Sequence, residues 1–314
     1  MKILITGGAG FIGSALADRL CLLNHQVLVI DNFETGNNLN VSEQPNLKLV
    51  QGSITDSKLM HQVFSEFLPD QVVHAAASYK DPNNWMKDVH TNIEGTINLI
   101  DVAQKYKVKK IIYLQTSLCY GLNPSEKPIT LNYALFGGKF DAGSSYALSK
   151  TSAELYLKLS EIPLLIFRLS NIYGPRNLSG PIPTFYQRLT NKQKCILVNS
   201  KRDFLFIDDL VSLLILAIQN PDITGTYHAG SGSEYSVPEI FNFIKSALNI
   251  ENFEIEEKEP NADDTSFISL DISKTKKDFN WMAEMDIHQG INVTVNWYKN
   301  HKISENYTHL KNIY

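Results

Sequence analysis

Short β-branched runs alternate with longer amphipathic stretches through the first half of the chain. A glycine-rich turn follows the first run, and the alternation breaks off after Gly174-Pro175. Together these predict an α/β protein, a Rossmann-type doubly wound parallel sheet with a smaller α/β C-terminal substrate-binding region. Strands are expected at Lys2–Thr6, Gln26–Asp31, Leu47–Gln51, Gln71–Ala75, Lys110–Gln115 and Leu164–Leu169. Lys110-Ile111-Ile112-Tyr113-Leu114 is nearly all apolar, as a strand covered on both faces should be. Helices are expected near Ile12–Leu23, Ser57–Phe67, Val89–Lys105 and Tyr146–Ser160. Residues 1–174 then make the first domain, with 207–232 returning to it as a helix near Asp208–Gln219 and a strand near Gly225–Ala229. Residues 175–206 and 233–300 make the second region, a cap over the carboxyl ends of the strands, and 301–314 a polar, loosely held tail.

The bulk numbers exclude several classes. With 29 basic against 33 acidic residues the net charge is −4, so a nucleic-acid partner is not expected. The 43% hydrophobic and 20% charged contents are those of an ordinary globular protein. Cys21, Cys119 and Cys195 are odd in number and far apart, as reduced thiols are. No His, Cys or carboxylate cluster has metal-ligand spacing, so no metal is expected. Ile3-Leu4-Ile5 leads at once into the glycines, and no stretch reaches bilayer-spanning length. A cytoplasmic protein with no membrane partner is the expectation. The sequons at Asn40, Asn177, Asn292 and Asn306 fit chance in an Asn-rich chain.

Thr6-Gly7-Gly8-Ala9-Gly10-Phe11-Ile12-Gly13 closes a strand and opens a helix. Glycines there permit a tight turn and close approach of backbone to a pyrophosphate, which the helix N-terminus attracts. Alone, the motif also fits a plain tight turn. Asp31, 18 residues after Gly13 at the end of the second strand, adds a carboxylate able to accept both ribose hydroxyls of an adenosine. That carboxylate repels a 2′-phosphate and no arginine follows it, so NAD is favoured over NADP. The plainer alternative has Asp31 start a turn with Asn32.

Tyr146 and Lys150 lie four apart at the start of a helix, on one face. A phenol with an unperturbed pKa of about 10 is a poor base at neutral pH, but an adjacent ammonium and an oxidised nicotinamide both favour phenolate. By itself Tyr-x-x-x-Lys reads as an exposed helix face. Thr116, at the end of the fifth strand, makes it specific, because its hydroxyl can hold a reacting alcohol near Tyr146.

The chain resembles the extended short-chain dehydrogenase/reductases of the nucleotide-sugar epimerase/dehydratase family over nearly its full length. The motifs that carry the resemblance are the glycine loop, Asp31-Asn32, His74-Ala75-Ala76-Ala77, Asn92 to Thr96, Thr116 to Gly121 and Tyr146 with Lys150. Arg168 to Pro175, Arg202-Asp203-Phe204 and Asp208-Asp209 complete the set. The resemblance implies NAD held by Gly7, Gly10, Phe11, Ile12 and Gly13 at the phosphates, and by Asp31, Asn32, Thr35 and Gly36 at the adenosine ribose. It further implies Ser53 and Ile54 beside adenine, Ala75, Ala76, Ala77 and Lys80 along the dinucleotide, and Asn92 as a buttress. Thr116, Tyr146 and Lys150 would be catalytic, and Thr116, Ser117, Asn171 and Arg202 would contact substrate, with Arg202 on a diphosphate. Arg202-Asp203 also fits a surface ion pair, and His74 fits a packed strand-end residue. A homodimer through the helices near Val89–Lys105 and Tyr146–Ser160 is implied too, with Tyr156 and Leu157 as interface candidates.

The residues after Thr116 bear on the reaction. The dehydratases and the uronate decarboxylase of the resembled family place an acid there, and the 3,5-epimerases a cysteine two residues before the tyrosine. Here stand Ser117 and Leu118, with Cys119 one place off and more suited to apolar filling. The resemblance then implies a 4-epimerase, an isomerase acting on a UDP-linked hexose, N-acetylhexosamine or uronic acid through a 4-keto sugar. It is similar to epimerases of O-antigen clusters, which implies lipopolysaccharide or surface polysaccharide biosynthesis. A 4-keto-sugar reductase using the same three residues stays open, as does a dinucleotide-sensing binding protein on the same fold. Two departures bear on the nucleotide. The segment from Lys194 to Arg202 is short, and Pro260-Asn261-Ala262-Asp263-Asp264 replaces an arginine motif, leaving Arg176 or Lys201 as substitutes.

Overall fold

The computed structural model describes residues 1–138, 143–258, 267–301, 303 and 306–307. Strands β1 (Lys2–Thr6), β2 (Gln26–Asp31), β3 (Leu47–Gln51), β4 (Gln71–His74), β5 (Lys110–Thr116) and β6 (Leu164–Leu169) are parallel neighbours in one sheet. Four short strands follow: β7 (Asn171–Tyr173), β8 (Cys195–Val198), β9 (Lys201–Arg202) and β10 (Phe204–Phe206). Then β11 (Gly225–Ala229) joins the edge beside β6, giving the order β11-β6-β5-β4-β1-β2-β3. The order reverses between β1 and β4, which opens a crevice at the carboxyl ends of the strands.

The sheet is covered on both faces because its inner strands are apolar on both, whereas the edge strand β3 is only half-buried. Ile3 and Ile5 pack with Leu16 and Leu20 of α1 (Phe11–Leu22). Leu4, between them, packs on the other side with Met60 and Phe64 of α2 (Ser57–Phe67). A short α3 (Trp85–Asp88) leads into a π-helical stretch, Val89–Glu94, and then into α4 (Gly95–Lys105). The single helix expected over Val89–Lys105 thus starts earlier and is underwound at its first turns. In α5 (Ser145–Leu159), the Ser144 hydroxyl caps the Ala147 N–H at 3.2 Å, which fixes Tyr146 in the first turn. Leu157, an interface candidate, is instead fully buried among Leu99, Val102 and Ile166, while Tyr156 is exposed.

α6 (Pro181–Thr190) lies in the C-terminal region and α7 (Ile207–Gln219) returns the chain to the sheet. The rest of the region comprises β12 (Tyr235–Ser236), α8 (Val237–Ala247), β13 (Ile255–Lys258), β14 (Phe267–Ile268), α9 (Ser273–Phe279) and α10 (Ile287–Asn300). Its pairings are short: β7 with β10, β8 with β13, and β9 between β12 and β14. Residues Pro260 to Asp264 lie outside the described residues, as do 302, 304–305 and 308–314 of the tail. Where the tail is described it is attached, the Tyr307 N–H donating to the Leu178 carbonyl at 2.8 Å.

Candidate active site

One cleft runs along the carboxyl ends of the strands, and both regions line it. Its empty volume, mouth included, is about 2030 Å³. The cleft runs from Asp31, Ser53 and Ile54 at one end, past Tyr146, to Arg202 and Ile268 at the other.

The glycine loop sits against the sheet so closely that side chains are excluded. Gly7 has φ +68°, and a Cβ on it would come within 2.7 Å of the Ala76 backbone; one on Gly13 would reach 2.4 Å from the Gly7 carbonyl. Gly10 precedes α1 without a side-chain cap, and no acidic residue stands in the first turn. The first N–H groups of a helix have no partner within it, so Phe11, Ile12 and Gly13 present donors to the cleft they line. A cradle made of backbone N–H groups and closed to side chains fits a dinucleotide pyrophosphate.

At the adenosine end, the Asp31 carboxylate accepts from the Ala9 N–H at 2.9 Å and the Phe33 N–H at 2.8 Å. Burial pushes its pKa up, and those backbone N–H groups pull it back. Gly36 lies behind it, where a Cβ would stand 2.7 Å from Asp31 Oδ1. Asn32, Thr35, Ser53 and Ile54 line this end, with the Ser53 hydroxyl bonded to that of Thr55 at 2.8 Å. Ala75, Ala76 and Ala77 line the wall beyond. Asn92 is behind the wall, not in it. Its amide accepts from the Ser78 N–H at 2.7 Å and donates to the Ser78 carbonyl at 3.1 Å and the Ser149 hydroxyl at 2.8 Å. Lys80 lines the mouth, its ammonium 4.9 Å from the Tyr307 ring.

Thr116, Ser117, Tyr146 and Lys150 meet in the middle of the cleft. The Thr116 hydroxyl accepts from the Leu118 N–H at 3.2 Å, which orients it. Burial pushes the Tyr146 phenol above the ordinary tyrosine range, and Tyr79 and Asp88 push the same way. Lys150 is fully buried with its ammonium 4.1 Å from the Tyr113 ring; burial pushes it down to about 7, against the pull of Glu154. The protein alone therefore biases this pair toward phenol and amine. Behind it, Gln115 donates to the Lys150 carbonyl and to Glu154, both at 3.0 Å, and Arg168 donates to Glu154 at 2.6 Å. Leu118 packs with Leu122, Phe136 and Ala147 beside Tyr146.

Asn171 and Arg202 line the far end with Phe204 and Ile268. Neither proposed substitute arginine or lysine is there. Arg176 is turned to α1, bonded to Ser14 at 3.1 Å and Asp18 at 2.8 Å, and Lys201 is exposed outside the lining. His74 is a packed strand-end residue, held by the hydroxyls of Thr6 at 2.7 Å and Thr96 at 2.9 Å, and burial pushes it down to about 3. Cys119 is buried with Ile129, Ile268 and Leu270, its thiol pushed up to about 12. Sequence reasoning missed Tyr79, whose ring approaches Tyr146 at 6.2 Å and whose hydroxyl shares a hydrogen bond with Thr35. Its signal was an aromatic residue just past the strand-end alanines. Among the described residues no His, Cys or carboxylate group could hold a metal ion, and no helix is long and apolar enough to cross a membrane.

An NAD-shaped cradle at the switch point, opening onto a Thr-Tyr-Lys cluster, defines a dinucleotide-dependent enzyme of the short-chain dehydrogenase/reductase type. Residues 3–230 match the NAD dependent epimerase/dehydratase family, and the chain belongs to it. A curated relative from Methanocaldococcus jannaschii, described as a "Putative UDP-glucose 4-epimerase", is 32% identical over 95% of this chain and 98% of its own. The crystal structure of Bordetella bronchiseptica WbmH in complex with NAD+ superposes with a TM-score of 0.90 at 37% identity, covering 96% of this chain and 99% of that one. WbmG of the same organism, in complex with NAD and UDP, gives 0.88 at 38% identity over 98% and 97%. Curated relatives also include a dTDP-D-glucose 4,6-dehydratase and UDP-glucuronic acid decarboxylases. The protein is an NAD-dependent enzyme of this nucleotide-sugar family, and NAD is its cofactor.

Proposed function

We propose that this chain is an NAD-dependent nucleotide-sugar 4-epimerase acting on a UDP-linked sugar. One observation carries the reading. Among the described lining residues only Asp31 and Glu34 bear carboxylates, both at the adenosine end, whereas Thr116, Ser117 and Leu118 surround Tyr146. Elimination and decarboxylation in the family draw on an acid at that place, and Leu118 is apolar and packed. The solved WbmG complex with UDP and the UDP-glucose 4-epimerase of Thermotoga maritima with UDP-glucose, 28% identical at a TM-score of 0.86, support a UDP-linked substrate.

When bound, NAD supplies the hydride acceptor for C4 and the donor that restores it. Tyr146 takes the proton of the C4 hydroxyl, held in place by Thr116, and returns it to the same oxygen. Lys150, in its protonated form, lowers the cost of the phenolate. Arg202 and Asn171 hold the diphosphate while the 4-keto ring turns over, so that the opposite face is restored. The apolar stripe of Leu148, Leu155 and Leu159 on α5, with Ile97 of α4, is exposed. Its spacing suits a homodimer that packs these helices against their copies. A cytoplasmic enzyme supplying sugars for surface polysaccharide fits this reading.

The test is incubation of the purified protein with UDP-linked hexoses, N-acetylhexosamines and uronic acids, without added nicotinamide, read by NMR. Interconversion of C4 epimers is expected. Loss of carbon dioxide, loss of water, or turnover only with stoichiometric NADH would each overturn it, the last in favour of the reductase.

A further inference from the structure

The cleft has two lips at its mouth. One is the segment after β4 with Tyr79 and Lys80; the other is the segment leading into α6, with Ser179, Gly180 and Pro181. Asn306 and Tyr307 join them. Tyr307 bridges to Ser179, its N–H donating to the Leu178 carbonyl at 2.8 Å, and the Asn306 amide donates to the Thr184 hydroxyl at 3.0 Å. On the other side the Tyr307 ring meets the Tyr79 ring edge-on at 6.4 Å and lies 4.9 Å from the Lys80 ammonium. Tyr79 in turn spans the waist of the cleft, from the Tyr146 ring at 6.2 Å to a hydrogen bond with Thr35 near Asp31.

We propose that Tyr79 and Tyr307 form an aromatic clasp that retains the bound NAD, with Tyr307 as its outer half. This rests on the NAD dependence of the family and not on the reaction proposed above. Tyr79 reaches from Tyr146 to Thr35, so a dinucleotide laid from Asp31 to Tyr146 would run along its ring, and release would require that ring to swing. Tyr307 opposes the swing because its backbone is fixed to the other lip, while its face is occupied by Lys80. Losing the Tyr307 ring contacts should speed release roughly three- to tenfold, which is about 0.7–1.4 kcal/mol.

The experiment loads wild type, Tyr79→Ala, Tyr307→Ala and Tyr307→Phe with NAD, removes free cofactor, and follows NAD dissociation by trapping. Melting temperatures of the cofactor-free forms are compared alongside. Tyr307→Ala should release NAD about three- to tenfold faster and Tyr79→Ala faster still. Tyr307→Phe, which keeps the ring, should match wild type, and cofactor-free melting of both Tyr307 variants should be unchanged. Wild-type release from Tyr307→Ala would remove Tyr307 from cofactor retention and overturn the proposal. So would faster release matched by a general loss of stability in the cofactor-free Tyr307→Ala protein.

Discussion

The two ends of the cleft handle charge in opposite ways. At the adenosine end, Asp31 is answered by the Ala9 and Phe33 backbone N–H groups, and the glycines beside it leave no room for adjustment. In the middle, the half-buried Tyr146 and the buried Lys150 are groups that the protein pushes toward neutrality. A fixed, answered charge serves recognition, because it costs no rearrangement when a ribose arrives. A pair held close to its uncharged form serves proton transfer, because a ligand's own charge decides where the proton sits.

The largest test of this contrast is Tyr146→Phe. General acid–base groups contribute about 10²–10⁴-fold, so kcat should fall by at least that much while the purified variant still carries NAD. Retained turnover would mean that another group moves the proton. Next comes Asp31→Ala, which removes hydrogen bonds to a charged acceptor. NAD affinity measured by calorimetry should weaken about 10- to 100-fold, with far less effect on NADP. Equal weakening of both would mean the carboxylate does not read the ribose. A further test concerns stability. Lys150 falls from an ordinary value of 10.5 to about 7 in the cofactor-free fold. Between those values the unfolded chain binds more protons than the folded one, so stability rises with pH across the window and the penalty is greatest below about pH 7. The melting temperature of Lys150→Met minus that of wild type should therefore shrink as pH rises from 6 to 10. A difference independent of pH would show that Lys150 titrates as it does in the unfolded chain.

The same contrast marks how far the sequence could be read. β1, β2 and β6 lie where their apolar runs place them, because a parallel strand buried on both faces needs a near-continuous run. The glycine cradle and Asp31 were legible for a related reason, since each demands a particular residue type at a fixed distance along the chain. In the C-terminal region, β9 is two residues long and pairs with β12 and β14, both more than thirty residues later, so no local period announces it. Tyr79 and Tyr307 were illegible as a pair, being joined only through the fold. Leu157 and Tyr156 show the limit on a helix, where one residue of rotation separates core from surface. Arg176 was misjudged because Asp18, which captures it, lies on the first helix of the chain.

Asn92 has a consequence for mechanics. Its single amide ties Ser78, in the loop beside the dinucleotide, to Ser149, the neighbour of Lys150, from an underwound turn between them. The loop and α5 are thus yoked, and a disturbance felt by one is delivered to the other. Cutting the yoke with alanine would let the two drift independently, so that in the proposed reaction the alcohol and the ring receiving its hydride would lose their common frame of reference.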